Sequence, residues 1–277
     1  IIWDGFIIIE GNCYHPDTGP VTFFYSNNCV IQNCEIRGSY VSTTDNHDGI
    51  RVAHSKNITI RNCIIHGIKG DSWNSSGIKF YKVKNTIVEN CEIYDCVIGI
   101  TDKEAGTNNI YRFNLIHNND HLAISFYTHL GGPGSSGNKI YQNILYNNER
   151  GIRLDCDEPM EFVNVQIYNN IIYRSGNIAP KQSPNLQIWN NIIFKDGQMY
   201  NCRGSNSKPT YSNYNCFYPG ENFKLDQQNF DSLEAWKEGT GLDNNSIHKD
   251  PLFVNPEAHD FHLRPNYSPC LNAGIDR

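Results

Sequence analysis

Charge is scarce in this chain: Asp, Glu, Lys and Arg make up 19% of 277 residues, below the usual quarter. Basic excess is absent too, since Lys and Arg number 23 against 29 acidic residues, a net charge of -6. No global positive field is therefore available to neutralise phosphates, which argues against nucleic acid as the main partner. No run of eighteen apolar residues occurs, which excludes a membrane-spanning helix. No charged and apolar leader opens the chain, and Ile1 rather than Met points to a mature or trimmed product. Runs of Ala, Leu, Glu and Lys are lacking, which disfavours a helical protein. No Cys-x-x-Cys occurs among the ten cysteines, which disfavours a structural zinc site. What the chain does have is Asn, Gly, Tyr and β-branched residues in abundance.

Those residues repeat. An apolar-x-apolar-x-Asn-x-apolar motif appears as Val30–Ile36, Ile58–Ile64 and Ile87–Ile93, then as Ile110–Asn114, Ile140–Asn143, Ile167–Asn170 and Ile188–Asn191. The motif Asn residues 33, 62, 90, 114, 143, 170, 191 and 215 follow one another at steps of 21 to 29 residues. A second motif alternates with the first: Asp48-Gly49-Ile50-Arg51, Ser76-Gly77-Ile78-Lys79, Ile98-Gly99-Ile100-Thr101, Leu122-Ala123-Ile124-Ser125 and Arg150-Gly151-Ile152-Arg153. Two motifs sharing one period mean two or three short strands per coil. Strands of three to five residues cannot bury enough apolar surface alone. Stacked about 4.8 Å apart, each pairs with the coil above and below, and the inward Ile, Val, Leu and Phe merge into one core. Asn at each bend tolerates left-handed backbone, and its amide reaches the next rung to form a ladder. The expected architecture is an all-β solenoid of about eight coils over residues 1–218. It resembles the right-handed parallel β-helix of pectate-lyase-like proteins.

Residues 219–277 break the period. They contain a short helix signal, Asp231–Lys237 with an Asp or Ser cap, and resemble the C-terminal end of bacterial secreted β-helix proteins. Their expected job is to cap the last coil, whose open strand edge would otherwise aggregate. Cys34, Cys63 and Cys91 follow successive bend Asn residues and are expected to stack as free thiols. Cys13 with Cys29, and Cys202 with Cys216, are candidate loop bridges.

Inward positions belong to the core, so function must lie on an outward face. With the Ile of each Gly-Ile strand inward, Arg51, Lys79, Thr101, Ser125 and Arg153 form one outward column. Ala53, Tyr81, Lys103, Tyr127 and Asp155 form the next, and His47 and His121 stand in the column before the Gly. This local basic, aromatic groove suits an anionic polysaccharide or oligosaccharide: cations pair with uronate carboxylates and Tyr rings stack on sugars. His129, in the Gly-rich stretch 127–134, would wall the groove. His54, His66 and His117 fall at turns and read as structural. Tyr111, Tyr141, Tyr168 and Trp189 read as an aromatic stack on another, blander face.

The resemblance to β-helical enzymes implies two chemistries. Ser76–Phe80 resembles the Gly-Phe-Lys strand of the ninth polysaccharide lyase family, which implies Lys79 as the base of a β-elimination, with Arg51, Arg153 and Lys103 as supporting cations. Asp45 and Asp48 resemble that family's calcium aspartates, implying Ca2+, although Asn46 and His47 interrupt the cluster. A metal-free pairing of Lys79 with Arg51 or Arg153 is the alternative. Thr44–Ile50 faintly resembles the Asn-Thr-Asp element of polygalacturonases, but Ser75-Ser76-Gly77 replaces their next Asp pair; Asp102 and Asp155 are the remaining hydrolase candidates. The resemblance further implies a protein that is secreted or at the cell surface, and a monomer is expected. A non-catalytic glycan-binding or surface-building β-helix is the rival from outside enzymology.

Overall fold

The computed structural model describes residues 1–9, 17–38, 46–70, 73–129 and 134–276. Three parallel sheets run the length of a solenoid, with nine, ten and ten strands. The first sheet extends from Ile2–Asp4 to Tyr211–Asn213, and the second from Ile7–Ile9 to Ile247–His248. The third carries the Gly-Ile motifs, from Val21–Phe24 to Asn222–Leu225, and ends in an antiparallel strand at Gln228–Phe230. Each coil contributes one strand to each sheet, so neighbours in a sheet are one coil apart in sequence. Ile50, Ile78, Ile100, Ile124 and Ile152 are fully buried, as are Ile31, Ile60, Val88, Ile140, Ile167 and Ile188 of the first sheet. Each such side chain contributes roughly 1.5–3 kcal/mol by leaving water. The Gly before the Ile is set by space: a Cβ on Gly77 would lie 2.7 Å from Ile93 Cγ2 and 2.9 Å from the Gly99 carbonyl.

The bend between the first and second sheets holds an Asn ladder, in a frame that shifts along the chain. The residue with left-handed backbone is Asn33, Asn62 and Asn90 in the early coils, then Phe113, Gln142, Asn169, Asn190 and Tyr214, all with φ between 52° and 57°. The residue after it is buried: Cys34, Cys63 and Cys91 first, then Asn114, Asn143, Asn170, Asn191 and Asn215. Strand register confirms the alignment, pairing Val88 with Tyr111 and Glu89 with Arg112. Asn90 is therefore equivalent to Phe113, not to Asn114. In the later coils each ladder Nδ2 donates to the next Oδ1 at 3.0 Å, from Asn114 through Asn215, and the last amide donates to Asp243 Oδ1. Where the Cys half meets the Asn half, the Cys91 amide donates to Asn114 Oδ1 at 3.0 Å.

This shift also corrects the aromatic stack. Tyr111 points inward and is fully buried, with its hydroxyl donating to Asp102 Oδ2 at 2.7 Å. The outward stack is Tyr141, Tyr168 and Trp189, with ring centroids 4.7 and 4.3 Å apart and planes within 6° of parallel. Cys34, Cys63 and Cys91 are buried free thiols, as expected of small apolar residues. The candidate bridge between Cys202 and Cys216 is not formed; both are free, and the Cys216 thiol lies against Cys270 of the tail. Cys13 lies outside the described residues, and Cys29 is a buried free thiol.

After the last parallel strand of the third sheet, Leu233–Thr240 forms a helix. Ser232 caps it by accepting from the Ala235 amide, and Gly241 ends it with φ 73°. Trp236 of this helix is fully buried, stacks on Phe223 at 5.2 Å, and donates from Nε1 to Asp243 Oδ2 at 2.9 Å. The chain then adds Ile247–His248 to the second sheet. A hairpin of Phe253–Asn255 and Asp260–Leu263 follows, packing Phe253 and Phe261 on the outward Tyr146 and Tyr173 of that sheet. In earlier coils that aromatic column continues uncovered by the hairpin as His117, Tyr94 and His66, stacked at 4.5 to 5.0 Å.

Candidate functional site

The third sheet's outward columns are in the expected register: Arg51 opposite Lys79, Lys79 opposite Thr101, Thr101 opposite Ser125 and Ser125 opposite Arg153. Ala53, Tyr81, Lys103, Tyr127 and Asp155 align in the same way. A cleft of about 290 Å³ opens over these columns. Lys79, Lys103, His121, Tyr127, Arg153 and Asp155 all line it. Trp73 and Asn74 form a wall that sequence reasoning missed, because they belong to an irregular connection rather than to a strand.

At one end the cations are held by a buried carboxylate. Asp48 is fully buried, with Oδ1 3.0 Å from Lys79 Nζ and Oδ2 2.8 Å from Arg51 Nη1. Its Oδ1 also accepts from the Ser76 amide at 3.1 Å. Arg51 reaches Asp17 Oδ1 at 2.9 Å, and Lys79 donates to the Asn74 carbonyl and to Asn46 Oδ1. Burial pushes each group toward neutrality, Asp48 upward and Lys79 downward, and the contact between them opposes both shifts. Lys79 is thus held in place by Asp48 at the floor of the cleft, with a side chain only 3% exposed. Asp48, met by two cations and an amide, does not fit a calcium ligand, and Asp45 lies outside the described residues. Among the described residues, no group of three His, Cys, Asp or Glu side chains is arranged to hold a metal.

The other side of the cleft carries imidazole. His121 Nδ1 lies 3.2 Å from Glu149 Oε2, and the His121 and Trp73 ring centroids are 3.9 Å apart with the planes at 76°. Burial, aided by Arg150 and Arg153, moves His121 below the usual histidine range against the pull of Glu149. Burial thus favours the uncharged ring, and the Glu149 carboxylate at Nδ1 favours the tautomer with the proton there and Nε2 as the acceptor. Tyr127 stacks on His129 at 5.1 Å and lies under Lys103 Nζ at 5.6 Å. His129 Nδ1 is 2.6 Å from Glu104 Oε1, and Glu104 is itself buried. Asp155 pairs with Arg153 and stands 3.5 Å from Arg203 and 4.0 Å from Lys181, two cations that fall on later, less regular rungs.

Arg51 and His129, expected in the groove, do not line the cleft either, and three further expected residues stand apart. His47 is buried beside Asp48 and does not line the cleft. Tyr81 turns toward His54, 5.5 Å away, and carries Lys82 over its ring. Asp102 alternates inward: it is fully buried, bonded to Asn109 and Tyr111, and so takes no part in chemistry on this face.

Stacked parallel sheets, a buried bend ladder and a lateral cleft define a parallel β-helix protein. A family model described as right handed beta helix region matches residues 21–215, and the chain belongs to that family. Among solved structures it is similar to PfbA, a surface adhesin of Streptococcus pneumoniae (TM-score 0.55, 15% identity, covering 73% of this chain and 57% of that one). It is also similar to the periplasmic alginate epimerase AlgG (0.50, 15%, 74% and 46%) and to a hyperthermoactive exopolygalacturonase from Thermotoga maritima (0.50, 13%, 77% and 56%). At such identities the likeness shows the fold alone. The chain spans about half the length of these proteins. No curated protein matches the sequence.

Proposed function

We propose that the cleft on the Gly-Ile face binds an anionic, uronate-containing polysaccharide and cleaves it by β-elimination. One observation carries this reading: Lys79, Lys103 and Arg153 converge in a single cleft with the His121 imidazole and Tyr127, on a chain of net charge -6. Elimination needs a base for the proton on the carbon α to the uronate carboxylate, and cations for the charge that then spreads onto that carboxylate. Loss of the proton forms the C=C bond, the glycosidic C–O bond breaks, and the departing oxygen takes up a proton. His121 suits the base better than Lys79, because its Nε2 is free to accept while Glu149 fixes the ring. Lys79, whose Nζ is engaged by Asp48 and Asn74, suits the neutralising role together with Lys103 and Arg153. In this reading cationic side chains, rather than calcium, face the substrate carboxylate. A polysaccharide substrate is met outside the cytoplasm, so this reading takes the protein as secreted or at the cell surface.

The test is incubation with pectate, alginate and other uronates, following absorbance of the unsaturated product with and without chelator. The expected result is absorbance on at least one uronate, insensitive to chelator. Reducing ends released without absorbance would replace elimination by hydrolysis, and binding with neither product would make this a glycan-binding β-helix.

A further inference from the structure

Beyond Arg153, toward the C-terminal coils, the same sheet holds a second hollow of about 480 Å³. Arg150, Arg153, Lys195 and Arg203 line it, with Asn177 and Asn201 between them. Charge there is unbalanced. Four cations line it against one carboxylate, Glu149, with Lys181 and Asp155 at its edge and Asp196 beside Lys195. Asp155 is divided among Arg153, Arg203 and Lys181, and Glu149 between Arg150 and His121. Hydrogen bonding is unbalanced too. Arg203 Nε and Arg153 Nε are buried and make no hydrogen bond among the described residues, and Arg203 Nη2 meets only Asp155 Oδ1, at 3.5 Å. Asn201 Oδ1 is a buried acceptor with no donor. Buried donors and acceptors of this kind ordinarily have partners.

We propose that this hollow is a second subsite, which takes the anionic group of a sugar residue (a carboxylate or a sulfate ester) on the same chain whose scissile bond lies in the first cleft. The anion accepts from the guanidinium groups of Arg203 and Arg153, whose planar forks match oxyanion geometry. A neighbouring sugar hydroxyl bonds the Asn201 side-chain amide, which lines the hollow and turns its oxygen outward to do so, a contact that a bare inorganic anion would leave unmade. Arg153 lies on the wall shared by both hollows, and although the backbone bridge to Lys181 sets Arg203 two coils further on, about 10 Å along the axis, its guanidinium reaches back to within 3.5 Å of Asp155. The two hollows are therefore contiguous, and an oligosaccharide must extend past Arg153 to engage both. This rests on the uronate reading of the first cleft, but its test reads binding rather than turnover.

The experiment is calorimetric titration at low salt with oligouronates of increasing length, and with sulfated neutral oligosaccharides of matching lengths. Wild type is compared with Arg203→Gln and with Asn201→Ala, each checked for an unchanged melting temperature. The expected result is a rise in affinity once the chain reaches both hollows, about tenfold lower in Arg203→Gln for long chains and unchanged for the shortest. Asn201→Ala should reduce the same step, and keeps the proposal testable should Arg203→Gln fail to fold. Loss in the uronate series assigns the anion as carboxylate; loss in the sulfated series alone assigns it as sulfate ester. Equal affinities of wild type and both variants at every length would overturn the subsite. Length-dependent binding without any unsaturated product would remove the elimination chemistry and leave the subsite standing.

Discussion

The outward faces of the first and third sheets are built from the same strand geometry and similar residues, yet they differ in where their cations find partners. On the first sheet Arg61 donates to Gln32 one coil away, and Arg112 pairs with Glu89 while donating to the Tyr141 hydroxyl. Tyr141, Tyr168 and Trp189 then cover one another's faces. That face closes on itself, rung by rung. On the third sheet Lys79 and Arg51 share one buried Asp, three cations share Asp155, and a cleft is left open between the two groups. Polar, charged strands alone do not mark a site in a solenoid. Cations outnumbering carboxylates around a concavity do.

Substitutions sharpen that contrast. Asp48→Asn leaves Lys79 buried without a counter-charge and Arg51 with only the exposed Asp17, and should cost about 3–5 kcal/mol in denaturant unfolding. Glu89→Gln on the first sheet removes the partly exposed partner of Arg112 and should cost under about 1 kcal/mol. Similar losses for the two would erase the distinction between the faces.

The next effect lies between the sheets. Burial pushes the Asp102 carboxyl up to about 6 from 3.8, against the bonds from Asn109 and Tyr111. A raised carboxyl favours the fold while it is protonated. That contribution is complete below about pH 3.8 and is lost as pH rises through about 6, a change of roughly 3 kcal/mol. Stability measured across this window should fall in wild type, and Asp102→Asn should flatten the fall. An unaltered profile in the variant would place the pH dependence elsewhere.

The smallest effect concerns the bend that both faces share. Asn143→Ala leaves buried ladder groups unpaired and should cost about 1–3 kcal/mol. Cys63→Ala, at the same bend in the early coils, removes only a small buried side chain and should cost less, which parallel unfolding curves would show.

Much of this was legible in the sequence because period carries topology. The Gly-Ile columns were readable since every copy keeps Ile at the same place, so alternation alone fixed what points outward. The bend was misread by one residue at Phe113. Asn-Cys in the early coils and x-Asn in the later ones both contain an Asn, but only the second places it at the buried step. Tyr111 was misplaced by the same slip, since a Tyr whose hydroxyl bonds a buried Asp looks like any outward Tyr in a list of residues. Of the site, the lining cations were legible. Their pairing was not: that Asp48 is occupied by Lys79 and Arg51, or that His121 meets Glu149, depends on side-chain reach between coils. Trp73, Arg203 and Lys181 escaped because they sit where the repeat is irregular.

The central claim is that a neutral His121 takes a proton from a uronate held by the cations of the cleft. Its most direct test is the pH dependence of unsaturated-product formation by wild type, beside His121→Asn. The account predicts turnover that rises with pH through a value below 6.5, as His121 loses its proton, and that falls by roughly 10²–10⁴-fold in His121→Asn with an unchanged melting temperature. A variant as active as wild type with the same pH profile would contradict it.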